Sequence, residues 1–323
     1  METNKEKITI EVITRMYSCG ADKKEAEFRL TELKSAMRYW WRACNYFTTV
    51  SDMKEEEKEH FGSIENISPF ILRYNENPTL GTEKKREYKY INEFAIKFHE
   101  EVTFLLQMRD DAKYPIEKYK NILELASILG GIGRFSRKGQ GVFWIKGAKL
   151  FANEKELAKR VEELLRSVGE EQQEFHCNKK ETYVSLKACL QRRMEDCSYP
   201  YIEEILIGKP IRSSDFYYNR KNILDNRSDN NAKFNFKGGR YACPVYMTYY
   251  PCMDKEKIDE NREQNSSLSI TRLFPILVFL KNTSINFEKE PGKYTAFKNN
   301  CINHMFNNDG YKERGNKNGN RKK

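Results

Sequence analysis

Residues 130–144 read Gly-Gly-Ile-Gly-Arg-Phe-Ser-Arg-Lys-Gly-Gln-Gly-Val-Phe-Trp. No other stretch limits the possible folds so strongly. Gly130, Gly131, Gly133, Gly139 and Gly141 interrupt regular structure and permit positive φ and close approach by a second backbone. An apolar helical pattern precedes the stretch and a β-like run follows, so it is a loop from helix to strand. Arg134, Arg137 and Lys138 place cations among its N–H groups, with Ser136 between them. Such a combination suits a phosphate chain. No Gly-Lys-Ser/Thr follows, which excludes a Walker loop. Neither the spacing nor the preceding element fits a dinucleotide fingerprint. Glycine alone would make a solvated surface turn. The interleaved cations, ahead of Phe143 and Trp144, point instead to an RNA backbone.

A chain of 323 residues has room for two ordinary domains. Its net charge of +10 favours a polyanionic partner. Aromatics make up 13% of the residues, and rings among cations are what single-stranded nucleic acid needs, although most are expected in the core. No N-terminal apolar segment resembles a leader and no run is long enough to span a bilayer. A cytoplasmic protein with no membrane partner is expected. The cysteines are scattered and expected to be reduced. His176, Cys177, Cys189 and Cys197 match no common zinc spacing, so neither a metal nor another cofactor is expected.

Along the chain, Ile8, Ile10 and Val12 alternate with polar residues and predict a half-buried strand. Residues 31–47 predict a helix that Thr31 caps, with Leu33, Ala36, Met37, Trp40, Cys44 and Phe47 inward. Lys34, Arg38 and Arg42 recur every four residues on another face. No acid sits four positions away to neutralise them, so they read as a cationic rail, with Trp41 bordering it as a ring for stacking. Trp40 is assigned to the core. The charge run 52–59 reads as an exposed connector closed by His60-Phe61-Gly62-Ser63. Residues 69–74 predict a strand, 75–85 a loop, and 94–99 and 102–108 further strands. Pro115 opens a helix that ends at Gly130, and 142–145 is again a strand. The order approximates the β-α-β-β-α-β ferredoxin-like pattern, which RNA-recognition modules also use.

In the second half, residues 153–170 and 181–194 predict amphipathic helices, and a domain boundary is placed just before the first. Residues 202–212 are strand-like, broken at Gly208 and Pro210. Residues 225–240 read as a long loop. The β-rich runs 241–250 and 270–281 contain Pro244 and Pro275, which suit edge strands or bulges. Residues 310–323 form a polar, basic tail expected to be disordered.

Residues 8–14, Gly20-Ala21-Asp22, and the run Phe28-Arg29-Leu30-Thr31-Glu32-Leu33-Lys34-Ser35-Ala36-Met37-Arg38-Tyr39-Trp40-Trp41-Arg42-Ala43 resemble the start of the first subunit of Cmr (type III-B) CRISPR effector complexes, members of the RAMP superfamily. Arg29, Lys34, Arg38, Trp40, Trp41 and Arg42 match that pattern, and Ser35 replaces its usual glycine. His60-Phe61-Gly62-Ser63 resembles the family's Phe-Gly-Ser turn, and residues 130–141 its glycine-rich loop. Arg240-Tyr241-Ala242-Cys243-Pro244 and Thr271-Arg272-Leu273-Phe274-Pro275 both resemble loose forms of its Arg-Leu-Ala-Ser-Pro motif.

The resemblance implies an α+β chain of two ferredoxin-like RAMP domains in tandem, here 1–152 and 153–323. It implies a place at one end of an antiviral ribonucleoprotein, with contact to the 3′ part of the guide RNA and the 5′ part of the target RNA. It further implies docking on a neighbouring backbone RAMP subunit and no catalysis by this chain. The RNA-binding residues expected are Lys34, Arg38, Trp41, Arg42, Gly131, Gly133, Arg134, Ser136, Arg137, Lys138 and Gly139. Two alternatives stand beside this reading. One is a RAMP-type endoribonuclease, for which His60 is the least implausible base and Asp22 a possible aid to a metal. The other is a purely architectural subunit whose basic surface meets acidic proteins.

Overall fold

The computed structural model describes residues 4–20, 25–88, 91–109, 113–169, 174–189, 199–213, 245–253, 270–281 and 291–306. Strand β1 (Lys5–Val12) buries Ile8, Ile10 and Val12 by alternation. Helix α1 (Leu30–Cys44) follows. Its N-cap is Arg29, with no side-chain cap, so Thr31 lies inside the first turn rather than capping it. Helix α2 (Val50–Phe61) replaces the expected connector. The Thr49 side chain caps it, accepting from Asp52 N–H at 3.1 Å. Met53, Glu57, His60 and Phe61 form its buried face at helical spacing, beneath a run of exposed acids and lysines.

After β2 (Phe70–Tyr74), β3 (Thr82–Tyr88) and β4 (Ile91–Ile96) make a separate antiparallel hairpin. Part of β3 had read as loop. Then come β5 (Glu101–Met108), α3 (Ile116–Leu129, opened by Pro115) and β6 (Phe143–Ile145). The sheet order is β2-β5-β1-β6, antiparallel throughout. With the hairpin set aside, this is the order of the ferredoxin-like fold.

Helix α4 (Glu154–Val168) is capped by Asn153 Oδ1, which accepts from Lys155 and Glu156 N–H at 3.1 and 3.0 Å. The expected helix 181–194 is instead β8 (Tyr183–Cys189), paired on one side with β7 (Glu174–Lys179) and on the other with β9 (Tyr201–Gly208). A strand with partners on both sides gains a full ladder, and that overrides a weak local helical period. Strand β9 continues past Lys209 and Pro210 as β10 (Ile211–Arg212). Strand β12 (Arg272–Lys281) lies between β9/β10 and β11 (Val245–Pro251). Pro275 therefore sits in an inner strand, not at an edge. It stands where β9 breaks before β10, so its missing N–H interrupts no ladder on that side. Helix α5 (Pro291–Phe306) was not expected. The strands β11-β12-β9 keep the order of the second, third and first strands of the same fold, and β8 fills the place of its fourth. Residues 225–240, Pro244 and the tail 310–323 lie outside the described residues.

Helices α1 and α3 lie between the sheets, and α4 packs beside them on β8 and β9. Helix α1 touches β2 and β9, and α3 touches β6 and β11. One buried cluster runs from Ile8 through Trp40 and Leu129 to Phe279. Side chains of β11 alternate across its sheet: the Thr248 hydroxyl donates to Gly130 O at 2.9 Å, whereas Tyr249 reaches Met305 on α5. Gly208 lets α5 close on the outer face, where a Cβ would come within 2.6 Å of the Phe306 ring. Tyr199 clasps the end of α1: its hydroxyl donates to Asn45 O at 2.7 Å and accepts from Phe47 N–H at 2.8 Å. The Tyr46 hydroxyl donates to Ile202 O at 2.7 Å. Among the described residues, no helix is long and apolar enough to cross a membrane.

Candidate nucleic-acid interface

The glycine-rich loop leaves α3 and is stitched to the chain that follows β1. Arg134 N–H donates to Tyr17 O and Gly141 N–H to Arg15 O, each at 2.8 Å, and Ile132 N–H donates to Gly141 O at 2.9 Å. Lys138, Gly139 and Gln140 N–H turn back onto Phe135 O and Ser136 O. These donors are spent on protein carbonyls and are not open to a phosphate. Gly131, Gly133 and Gly139 serve packing and turning instead. Gly133 has φ 81°, and a Cβ there would collide with the Tyr17 carbonyl; a Cβ on Gly131 would lie 2.6 Å from Gln140 O. Gly139 takes φ 74° in the turn.

What the loop presents outward is side chains. Arg134 is exposed, and Ser136, Arg137 and Lys138 are half-buried. Phe135 takes φ 65°, a left-handed conformation costing about 1 kcal/mol for such a residue. Its ring meets Tyr17 edge-on, with the Arg134 guanidinium 5.0 Å and the Lys138 ammonium 5.5 Å from its centre. Arg137 lies 4.9 Å from the Tyr246 ring and 5.8 Å from Tyr39. Its carbonyl accepts from Met247 N–H at 3.2 Å, tying the loop to β11. Rings hold these cations in place.

The rail on α1 is different. Glu57 of α2 supplies the acid that the spacing along α1 lacks. Arg42 forks onto Glu57, with Nη2 to Oε1 at 2.6 Å and a second contact from Nε to Oε2, and Arg38 Nε lies 3.5 Å from the same carboxylate. Arg38 also donates to Phe61 O and Gly62 O at 3.1 and 3.3 Å. Lys34 donates to Ser68 Oγ at 2.6 Å and lies over the Phe70 ring. Burial, aided by the neighbouring Arg38, pulls the Lys34 pKa down to about 8. Trp41 is fully buried against Phe47, His60 and Phe61, so the ring expected to stack on RNA is core, as is Trp40. Beside this partly paired stripe lies a groove of about 620 Å³ between α1, α2 and residues 62–68, lined by Lys34, Arg38 and Glu57. Lys54 and Lys58 of α2 and Ile64 and Ile67 of the turn line it too. Lys54 and Lys58 stand in the charge run 52–59 that reads as connector, and Ile64 and Ile67 follow it in a turn with no periodic signal.

His60 is fully buried, stacked on Tyr114 with ring centres 4.2 Å apart. There it cannot act as a base on a bound RNA phosphate. His176 and Cys177 are neighbours on β7 and so point to opposite faces, which separates them as metal ligands. Cys189 lies across from Glu174, and Cys197 is outside the described residues. Asp22 is outside them as well. On the open face of the first sheet, β2, β5 and β1 present Arg73, Leu105 and Lys7 in one row and Ile71, Gln107 and Lys5 in the next. These rows offer no ring for the base stacking that RNA-recognition sheets use.

The family model of the RAMP superfamily matches residues 9–144. The CRISPR system Cmr subunit Cmr1-2 of Pyrococcus furiosus is 37% identical over 67 residues, which are 20% of this chain and 36% of that protein. The chain thus spans about a third of the length of the curated relative it matches. Among solved structures, Cmr1 from Pyrococcus furiosus in its apo form is similar over 86% of this chain and 88% of its own, with 15% identity and a TM-score of 0.48. A chain of the type III-B Cmr-beta complex, bound to cognate target RNA and AMPPnP in the presence of single-stranded DNA, shares the fold at a TM-score of 0.52. It has 12% identity, over 93% of this chain and 98% of its own.

Proposed function

The RAMP superfamily model matches residues 9–144, and from that match we propose that the chain is a RAMP protein and a non-catalytic RNA-binding subunit of a type III-B (Cmr) CRISPR effector ribonucleoprotein in the cytoplasm. On this reading it sits at one end of the complex, on a neighbouring backbone RAMP subunit. It contacts the 3′ part of the guide RNA and the 5′ part of the paired target RNA. Its two ferredoxin-like halves divide near residues 152 and 153.

The observation that carries the reading is the stitched loop with Arg134, Arg137 and Lys138 held over rings at its surface. The stitched backbone fixes where the three cations sit, which is how a protein follows phosphates without reading bases. Burial of His60 supports the non-catalytic part, since a metal-independent cut needs a general base within reach of the scissile phosphate.

Filter binding of single-stranded RNA across a salt series tests the binding. Changing Arg134, Arg137 and Lys138 to Ala is expected to weaken binding and to flatten the log–log salt slope by about 0.7 per lost contact. An unchanged slope would sink the loop as a phosphate surface. Incubating the purified chain with RNA, with and without divalent metal, tests the rest: cleavage would overturn the non-catalytic reading.

A further inference from the structure

Strand β2 ends the first sheet and, among the described residues, pairs with β5 alone. Arg109 N–H donates to Pro69 O at 2.9 Å, whereas Met108 N–H turns the other way, to Asn4 O at 2.7 Å. The antiparallel alternation then aims the main-chain groups of Ile71 and Arg73 at Gln107 and Leu105 of β5. Those of Phe70, Leu72 and Tyr74 point away from the sheet. The Ser68 hydroxyl donates to Phe70 O at 2.9 Å. At the middle of the strand, no group among the described residues meets the N–H and O of Leu72.

Edge strands of soluble proteins carry devices against chance pairing, such as a proline, a bulge or a cover. Within β2 there is no proline, and its register with β5 runs without a shift. Apolar side chains flank the edge instead. Ile71, 49% exposed, stands on the open face of the sheet. Ile64 and Ile67, 106% and 75% exposed, stand in the turn that leads into β2, on the side of α1, where they line the groove with Lys34 and Arg38. Five large apolar side chains are exposed among the described residues, and three of them thus gather at this one edge. Cations frame the same region. Lys5, Lys7 and Arg73 are exposed in the rows that cross β1, β5 and β2, and none of them forms an ion pair among the described residues. Those rows hold no carboxylate.

An open ladder takes a second backbone. Isoleucines on both of its faces take apolar side chains that alternate, and uncompensated cations take carboxylates. We propose that the outer edge of β2 is a strand-addition site for an extended segment of a neighbouring protein subunit, with apolar side chains on both faces of that segment and carboxylates toward Lys5, Lys7 and Arg73. The inference rests on the reading of the chain as a subunit of a ribonucleoprotein and assigns a surface by which it holds protein. A nucleic acid has no N–H and O alternating at strand spacing, and the rows offer no ring to a base.

Residue-resolved hydrogen exchange tests the site, on the full chain alone and on the complex assembled from its accompanying Cmr subunits and guide RNA. The Leu72 amide is expected to exchange at least about tenfold more slowly in the complex. Zero-length carbodiimide coupling should join Lys5 or Lys7 to an Asp or Glu of another subunit. The paired change Ile67→Asp and Ile71→Asp, at exposed positions, should lower retention of the chain in the complex about tenfold, and the RNA affinity of that variant alone should stay within about twofold. A Leu72 amide that exchanges alike in chain and complex, or full retention of the paired variant, overturns the site and leaves the ribonucleoprotein reading standing. So does protection of Leu72 by a single-stranded oligouridylate alone, which makes the face an RNA surface. Protection in a dimer of the purified chain, detected by sedimentation, overturns it too, because the occupant is then a second copy. A chain that enters no such complex overturns both.

Discussion

The glycine-rich loop and the α1–α2 groove both bring cations to the surface, and they hold them by opposite means. In the loop, Arg134, Arg137 and Lys138 lie over the faces of Phe135, Tyr246 and Tyr39. In the groove, Arg38 shares Glu57 with Arg42 and leans on two backbone carbonyls. A ring positions a guanidinium through its face and brings no carboxylate to the contact. A carboxylate positions it and cancels most of it, so part of the groove's charge goes into joining α2 to α1. The same residue type is thus seated on rings in one place and ion-paired in the other.

The sharpest way to break this contrast is at the loop's backbone. Gly133→Val places a branched side chain at φ 81° against the Tyr17 carbonyl and should cost about 3 kcal/mol or more. Chemical denaturation measures it, and a loss below about 1 kcal/mol would mean that the loop is not a rigid platform. Next in size is Glu57→Gln, which keeps the shape but leaves Arg38 and Arg42 without their carboxylate. Glu57 is buried while both arginines are about a third exposed, so a loss of about 2 kcal/mol is expected. The same denaturation series reads it, and an unchanged midpoint would return the two arginines to the status of a free rail.

The smallest effect belongs to Lys34. Its pKa is lowered on folding, by burial first and by Arg38 second. At pH 7 folded and unfolded chains both hold it charged, and burial of that charge is a cost. Between about pH 8 and the ordinary lysine value the unfolded chain binds more protons, so stability rises with pH across that window. After allowance for its partial exposure the gain is on the order of 1 kcal/mol. Comparing the unaltered chain with Lys34→Met at both ends of the window isolates this gain from other titrations. A constant difference between the two would remove the burial cost at Lys34.

Local rules read β1, α3 and α4 because their own residues carry the signal: alternation of Ile8, Ile10 and Val12, Pro115 at a helix start, and a regular apolar stripe from Leu157 to Val168. Helix α2 was hidden by its acids and lysines, although Met53, Glu57, His60 and Phe61 already stood at helical spacing. Strand β8 was misread because its identity comes from β7 and β9, which pair with it across the sheet. At the site, the cations of α1 and of the loop were legible one by one. Their partners were not, since Glu57 is distant in sequence from Arg38 and Tyr246 belongs to the other half of the chain. Trp41 looked like the border of a polar stripe until α2 covered it.

Tyr199 holds Asn45 and Phe47 from the far side of the sequence, and Tyr46 holds Ile202 in return. Because this clasp sits at the end of α1, the helix that walls the groove is bolted to the second sheet. Neither half can be lifted away without stripping buried donors and acceptors from the other. The clasp therefore couples the unfolding of the two sheets, and a displacement of the second sheet bears directly on α1.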